Sequence, residues 1–148
     1  MLKRFAVCPM AMLFCLSQFA TAEVVSTVEA LVSAVNEGEE GAKIEIAAGT
    51  YQLKAPLEPK SGMSLIGAGM DETIITHIEG WKPSVVTLPD HEMRTQVMDT
   101  YAYIIRLQDK AEKVVISNLT LKGPQMHGAV FAFAPVDLNI HHVRVQDT

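Results

Sequence analysis

Val114-Val115-Ile116-Ser117-Asn118-Leu119-Thr120-Leu121 and Leu138-Asn139-Ile140-His141-His142-Val143-Arg144-Val145 carry one pattern twice. With the chain laid on itself from Tyr103 onward at an offset of 24, Ile105 meets Ala129, Leu107 meets Phe131 and Val114 meets Leu138. Ile116 then meets Ile140, Leu119 meets Val143, and Leu121 meets Val145. A repeat of this length, built of short strands and turns, is one coil of a β-solenoid. Each coil buries its apolar side only against its neighbours. Alternation along a strand then gives every residue a side. Ile116, Leu119 and Leu121 point inward, Ser117 and Thr120 point outward, and Asn118 sits at the corner between two strands. One coil later Ile140, Val143 and Val145 point inward, His142 takes the corner, and His141 and Arg144 point outward.

Upstream the same period of two recurs in shorter pieces. Lys43-Ile44-Glu45-Ile46, Tyr51-Gln52-Leu53, Met63-Ser64-Leu65-Ile66 and Thr73 to Thr76 read as strands, separated by turns rich in Gly and Pro. Leu57, Met63 and Leu65 match Leu107, Val114 and Ile116 more loosely. Residues 26–36 read as one amphipathic helix. Ser26-Thr27-Val28-Glu29 fits a capping box, Val28, Leu31, Val32 and Val35 share a face, and Gly38 and Gly41 end it. From about 79 to 102 the periodicity fails, which predicts a long loop projecting from the body.

The first 22 residues read as an address. Lys3 and Arg4 precede a largely apolar stretch that is short and contains Pro9, and Ala20-Thr21-Ala22 offers a small-x-small cleavage site. This pattern predicts a signal peptide cut after Ala22 and a periplasmic or secreted product. Phe14 before Cys15 is too bulky for a lipid-attachment site. Both cysteines, Cys8 and Cys15, leave with the signal, so residues 23–148 carry no thiol for a disulfide or a metal. Lys3 and Arg4 leave too, which moves the formal charge from −5 to −7. An acidic domain without a basic cluster argues against nucleic-acid binding, and no later stretch is apolar enough for membrane insertion.

Ile44-Glu45-Ile46-Ala47-Ala48-Gly49-Thr50-Tyr51, followed by Ser64-Leu65-Ile66-Gly67-Ala68-Gly69 and Thr73-Ile74-Ile75, resembles the opening of pectin-lyase-like proteins. The Val-x-Ile-x-Asn-Leu-x-Leu string at 114–121 resembles their repeat unit. The resemblance covers nearly all of 23–148 and implies an all-β, right-handed parallel β-helix with a short N-terminal capping α-helix. It also implies an exported protein that acts on or binds polysaccharide, such as the N-terminal part of a polysaccharide lyase. The superfamily includes lyases, glycoside hydrolases, esterases and non-catalytic surface proteins, so a non-catalytic glycan-binding solenoid stays open as an alternative. A periplasmic metal-handling solenoid is a third. Val143 to Thr148 stops partway through a coil, so further coils or a partner are expected to cover that end.

The candidate site residues follow from these placements. His141 and Arg144 have the chemistry of a lyase, which needs a cation to neutralise a uronate carboxylate and a base for the C5 proton. Thr120 and Lys122, one coil below, are candidates for substrate contact. Trp81 offers a flat apolar face for a sugar ring, against the plainer reading that it folds back on the solenoid. His141-His142 sits on a strand, where neighbours point to opposite sides, so no metal site or cofactor is expected. Met93, Met98, His91 and His127 offer scattered soft ligands only. Asn118-Leu119-Thr120 is a formal glycosylation sequon, but a corner role explains Asn118 better. Asp71-Glu72 and Glu39-Glu40 are adjacent turn carboxylates and do not face each other as a glycosidase pair must.

Overall fold

The computed structural model of the chain describes residues 22–82, 103–107, 110–123 and 128–147. Within them the elements run β1 (Glu23–Val25), α1 (Val28–Glu37), β2 (Lys43–Ile46), β3 (Gly49–Leu53), β4 (Ser64–Gly67), β5 (Thr73–His77), β6 (Tyr103–Arg106), β7 (Val115–Lys122), β8 (Gly128–Phe131) and β9 (Asn139–Gln146). Every strand pair among them is parallel. The result is a parallel β-solenoid of about four turns with one short helix, as the repeat requires.

One coil is clearest at β7. Its first half lies on β4, with Leu65 opposite Ile116, and its second half lies on β5, with Ile75 opposite Leu121. Between the halves Asn118 adopts φ 56°. This left-handed conformation turns the chain from one sheet to the next, and Asn tolerates it better than most residues. β9 repeats the device with His142 at φ 51°. It pairs with β7 along its length, Ile116 opposite Ile140, Leu119 opposite Val143 and Leu121 opposite Val145. The offset of 24 and both corner assignments therefore hold in this part of the chain.

The two-stranded sheet of β6 and β8 departs from the simple repeat. In β6 and β8, Ile105 lies opposite Val130 rather than Ala129, and Arg106 lies opposite Phe131, an offset of 25. Glu112 opposite Val136 returns to 24, so the turn after β8 is one residue shorter than the turn after β6. Leu57 likewise pairs with Ile105, not Leu107. The physical reason is that Ile104 and Ile105 are both fully buried. Two adjacent apolar residues give no alternation to fix which one faces the coil interior.

The N-terminal end is closed by α1, which buries Leu31, Ala34 and Val35 against the first rungs. The helix begins one residue later than the capping box implies. Thr27 is the N-cap, its hydroxyl accepting from Ala30 N–H at 3.1 Å, because Glu23–Val25 is drawn onto β2 as an extra half-rung. Gly38 ends the helix, its N–H bonded to Ala34 O at 3.0 Å. The Lys60 ammonium donates to the Gly38 carbonyl at 2.7 Å, which places a cation at the negative end of the helix dipole.

At the opposite end β9 is the last strand among the described residues. β9 pairs with β7 on one side, and among the described residues no strand pairs its other edge. Ile140 and Val145 are 42% and 52% exposed, while Ile116 and Leu121 below them are fully buried. No helix among the described residues is long and apolar enough to cross a membrane, and the expected signal at 1–22 lies almost wholly outside them.

The same residue type in the same register thus has two environments. Ile116→Ala is expected to cost about 2–5 kcal/mol, the range for a fully buried aliphatic side chain. Ile140→Ala is expected to cost under about 1 kcal/mol, as for a partly solvated site. Urea midpoints of the two variants check this, and equal losses would contradict the difference in burial.

Candidate functional site

The chemistry of the outer surface is set by the corners. β7 turns on Asn118 alone, whereas β4 and β5 are joined by residues 68–72. Gly67 starts this longer corner because a Cβ there would stand 2.2 Å from the Asn118 carbonyl oxygen. Thr73 ends it, its buried hydroxyl accepting from Ala68 N–H at 2.9 Å and lying 3.1 Å from the Ala47 carbonyl. The extra residues form a roof over the coil above. Thr120 points out of its strand as expected, but it is 1% exposed, and its hydroxyl donates to the Met70 carbonyl. Thr120 therefore holds the roof down and is not open to a substrate, which corrects the sequence expectation.

Beyond the roof the face is polar and open. Gln52, Thr76, Lys122 and Gln146 stand opposite one another on successive rungs, about 4.8 Å apart. Lys122 is exposed, and its ammonium lies 3.7 Å from Asp147 Oδ2. Arg144, on the rung above Thr120, reaches down to Asp71 Oδ1 on the roof. Both carboxylates are well exposed, so these are surface ion pairs of modest strength. Asp71, read from the sequence only as part of a turn pair, is thus the partner of Arg144, and no spacing rule links residues 73 positions apart.

His141 is exposed on the outer side of the other half of β9. Its recorded partner is His142, not Arg144. The Nδ1 atoms of the two rings are 2.9 Å apart and the rings meet edge-on at 87°. The expectation that the pair points to opposite sides fails, because the left-handed φ of His142 breaks strand alternation. The structure therefore groups Arg144 with Asp71 and Lys122 with Asp147, and it groups His141 with His142.

Trp81 folds back on the solenoid. Its indole stacks on His77 at 3.8 Å with planes 4° apart, and its N–H donates to the Lys54 carbonyl at 3.1 Å. One face and the polar edge are used, which is the plainer of the two readings of this residue. His77 is 2% exposed, with Nδ1 3.2 Å from Leu53 O and Nε2 3.1 Å from Tyr103 O. His77, Trp81 and Tyr103 together tie the two described ends of the 79–102 region to the body. Residues 83–102, with His91, Glu92, Met93, Arg94 and Tyr101, lie outside the described residues, as does His127.

A cleft of about 600 Å³ runs between α1 and the turn after β3, lined by Val28, Val32, Asn36, Pro56 and Ile78 among others. Gln52 belongs both to this cleft and to the polar column. Among the described residues no group of three or more His, Cys, Asp or Glu side chains could hold a metal ion.

No protein-family profile, curated protein or solved structure matches this chain.

Burial pushes the His77 pKa down, outweighing the two carbonyl oxygens that favour the protonated ring. A lowered folded-state pKa means that protonation favours the unfolded chain. The contribution of His77 is complete above the unfolded value of about 6.5 and is lost as pH falls through the lower folded value. Unfolding free energy should therefore decline as pH falls below about 7, and His77→Gln should flatten that decline. An unchanged slope in the variant would exclude His77 as its source.

Proposed function

We propose that the outer face formed by β3, β5 and the second halves of β7 and β9 binds an acidic polysaccharide, in an exported protein that resembles the pectin-lyase-like solenoids. The observation that carries this reading is the pair of cations on neighbouring rungs. Lys122 and Arg144 each rest on an exposed aspartate carboxylate. A uronate carboxylate has the same charge and shape as the carboxylates of Asp147 and Asp71, and exchange at a solvated surface costs little. The column of Gln52, Thr76, Lys122 and Gln146 adds hydroxyl-bonding groups along the stacking direction. A flat face with one polar side chain per rung suits an extended chain of sugars.

Lyase chemistry asks for more than binding. A cation must neutralise the carboxylate so that the C5 proton becomes acidic, and a base must stand within hydrogen-bond reach of that proton. Arg144 can serve the first need. His141 lies on the other side of the corner with its Nδ1 turned to His142. The described coils thus support binding more strongly than proton abstraction, which favours the non-catalytic reading where these coils act alone.

The experiment is retention of the full chain on immobilised polygalacturonate and alginate, with the ultraviolet absorbance of unsaturated uronate as a second readout. Lys122→Ala with Arg144→Ala should weaken retention by more than about tenfold, as two charge-assisted contacts are lost. Folding should be nearly unaffected. Retention with product means a lyase, and retention without product means a binding solenoid. Retention equal to that of the parent in the double variant would rule this face out.

A further inference from the structure

The geometry of the second corner points to a cation site independent of the polysaccharide reading. Adjacent residues on a strand normally project to opposite sides. His142 occupies the corner at φ 51°, and this rotation brings its ring round to His141. The Nδ1 atoms are 2.9 Å apart and the ring centroids 5.2 Å apart, so each nitrogen is aimed at the other. Both rings are exposed, and neither has another recorded partner among the described residues. A lone hydrogen bond between two solvated imidazoles contributes little to stability. The pair is therefore not needed to hold the corner, a task Asn118 performs one coil earlier without an imidazole.

We propose that His141 and His142 form a two-coordinate site for a soft monovalent cation of the copper(I) class. Two nitrogens that face each other head-on are the donor set of a linear centre. Imidazole binds such metals at about 2 Å, so the nitrogens need to part from 2.9 Å to about 4 Å. Small side-chain rotations at an exposed corner supply this. The proton between the rings moves from Nδ1 to Nε2 of the same imidazole, which leaves a lone pair on each Nδ1 for the metal.

The surroundings select the ion. Zinc and other divalent ions ask for three or four ligands, and no such group occurs among the described residues. The carboxylates of the neighbouring sheet face, Asp71 and Asp147, are engaged by Arg144 and Lys122. Copper(I) accepts two nitrogens in a line and carries one charge.

The test is an anaerobic titration of the tag-free full chain with copper(I) against a coloured copper(I) chelator, repeated with zinc(II). X-ray absorption of the loaded protein reads the coordination number. His142→Asn keeps a residue that suits the left-handed corner, as Asn118 does, and His141→Ala removes the other ligand. One equivalent of copper(I) in two-coordinate form is expected, with each variant weakening it at least about tenfold and thermal unfolding of His142→Asn unchanged. Copper(I) held as tightly by either variant as by the parent would overturn the site. Zinc(II) bound by the pair as tightly as copper(I) would overturn the assignment of the ion. Loss of polyuronate retention in the Lys122 and Arg144 variant bears on the other face and leaves this result intact.

Discussion

The parallel ladder through β7 unites the larger, seven-stranded sheet of the described body. β7 lies on β4 with one half and on β5 with the other, and it takes β9 along its entire length. Within that sheet the earlier strands and β9 are joined through this strand, while β6 and β8 pair separately. The condition for that double role is a single left-handed residue in the middle, Asn118. Were the strand straight, its two halves could not serve two sheets, and Leu119 and Leu121 would leave the interior that Ile116 enters. The buried stack of Leu65, Ile116, Leu119 and Leu121 follows from that turn.

Where alternation is strict, the sequence was enough to place residues. The register of β7 and β9 and the corner positions of Asn118 and His142 could be read from one repeat, because inward and outward types differ sharply there. β6 and β8 could not be placed, because Ile104-Ile105 is apolar on both sides of the strand. The half-rung Glu23–Val25 is three residues long and too short to show a period. The roof over Thr120 was hidden for another reason. Outward direction follows from the strand, but exposure depends on the length of a corner in the coil below, and that length has its effect 50 residues away. The pairing of Arg144 with Asp71 has the same origin.

The two left-handed corners show one backbone device with two chemical results. At Asn118 the corner lies beneath a further rung. At His142, on the last described strand, the rotation that merely turns the chain also brings two imidazoles together. On the neighbouring face the outward positions collect amides, a hydroxyl and a cation in a column, while the core side of the same strands is apolar apart from the buried Thr73 and His77 of β5. The solenoid separates these tasks by face, so a change on one outer sheet leaves the stacking beneath it untouched.

The unequal spacing of the rungs has a consequence for how the chain reaches this structure. Ser64 follows Lys43 by 21 residues and Asn139 follows Val115 by 24, but Val115 follows Ser64 by 51. Closing a segment twice as long costs only about 0.6 kcal/mol more, so the long excursion is a minor burden on the equilibrium. Its effect on order of assembly is larger. The rungs before it, with α1, can zip together by short closures, and β7 with β9 can do the same. Bringing Val115 onto Ser64 is the longest closure of the three, so in sequence separation the strands fall into two locally closed blocks that meet at β7.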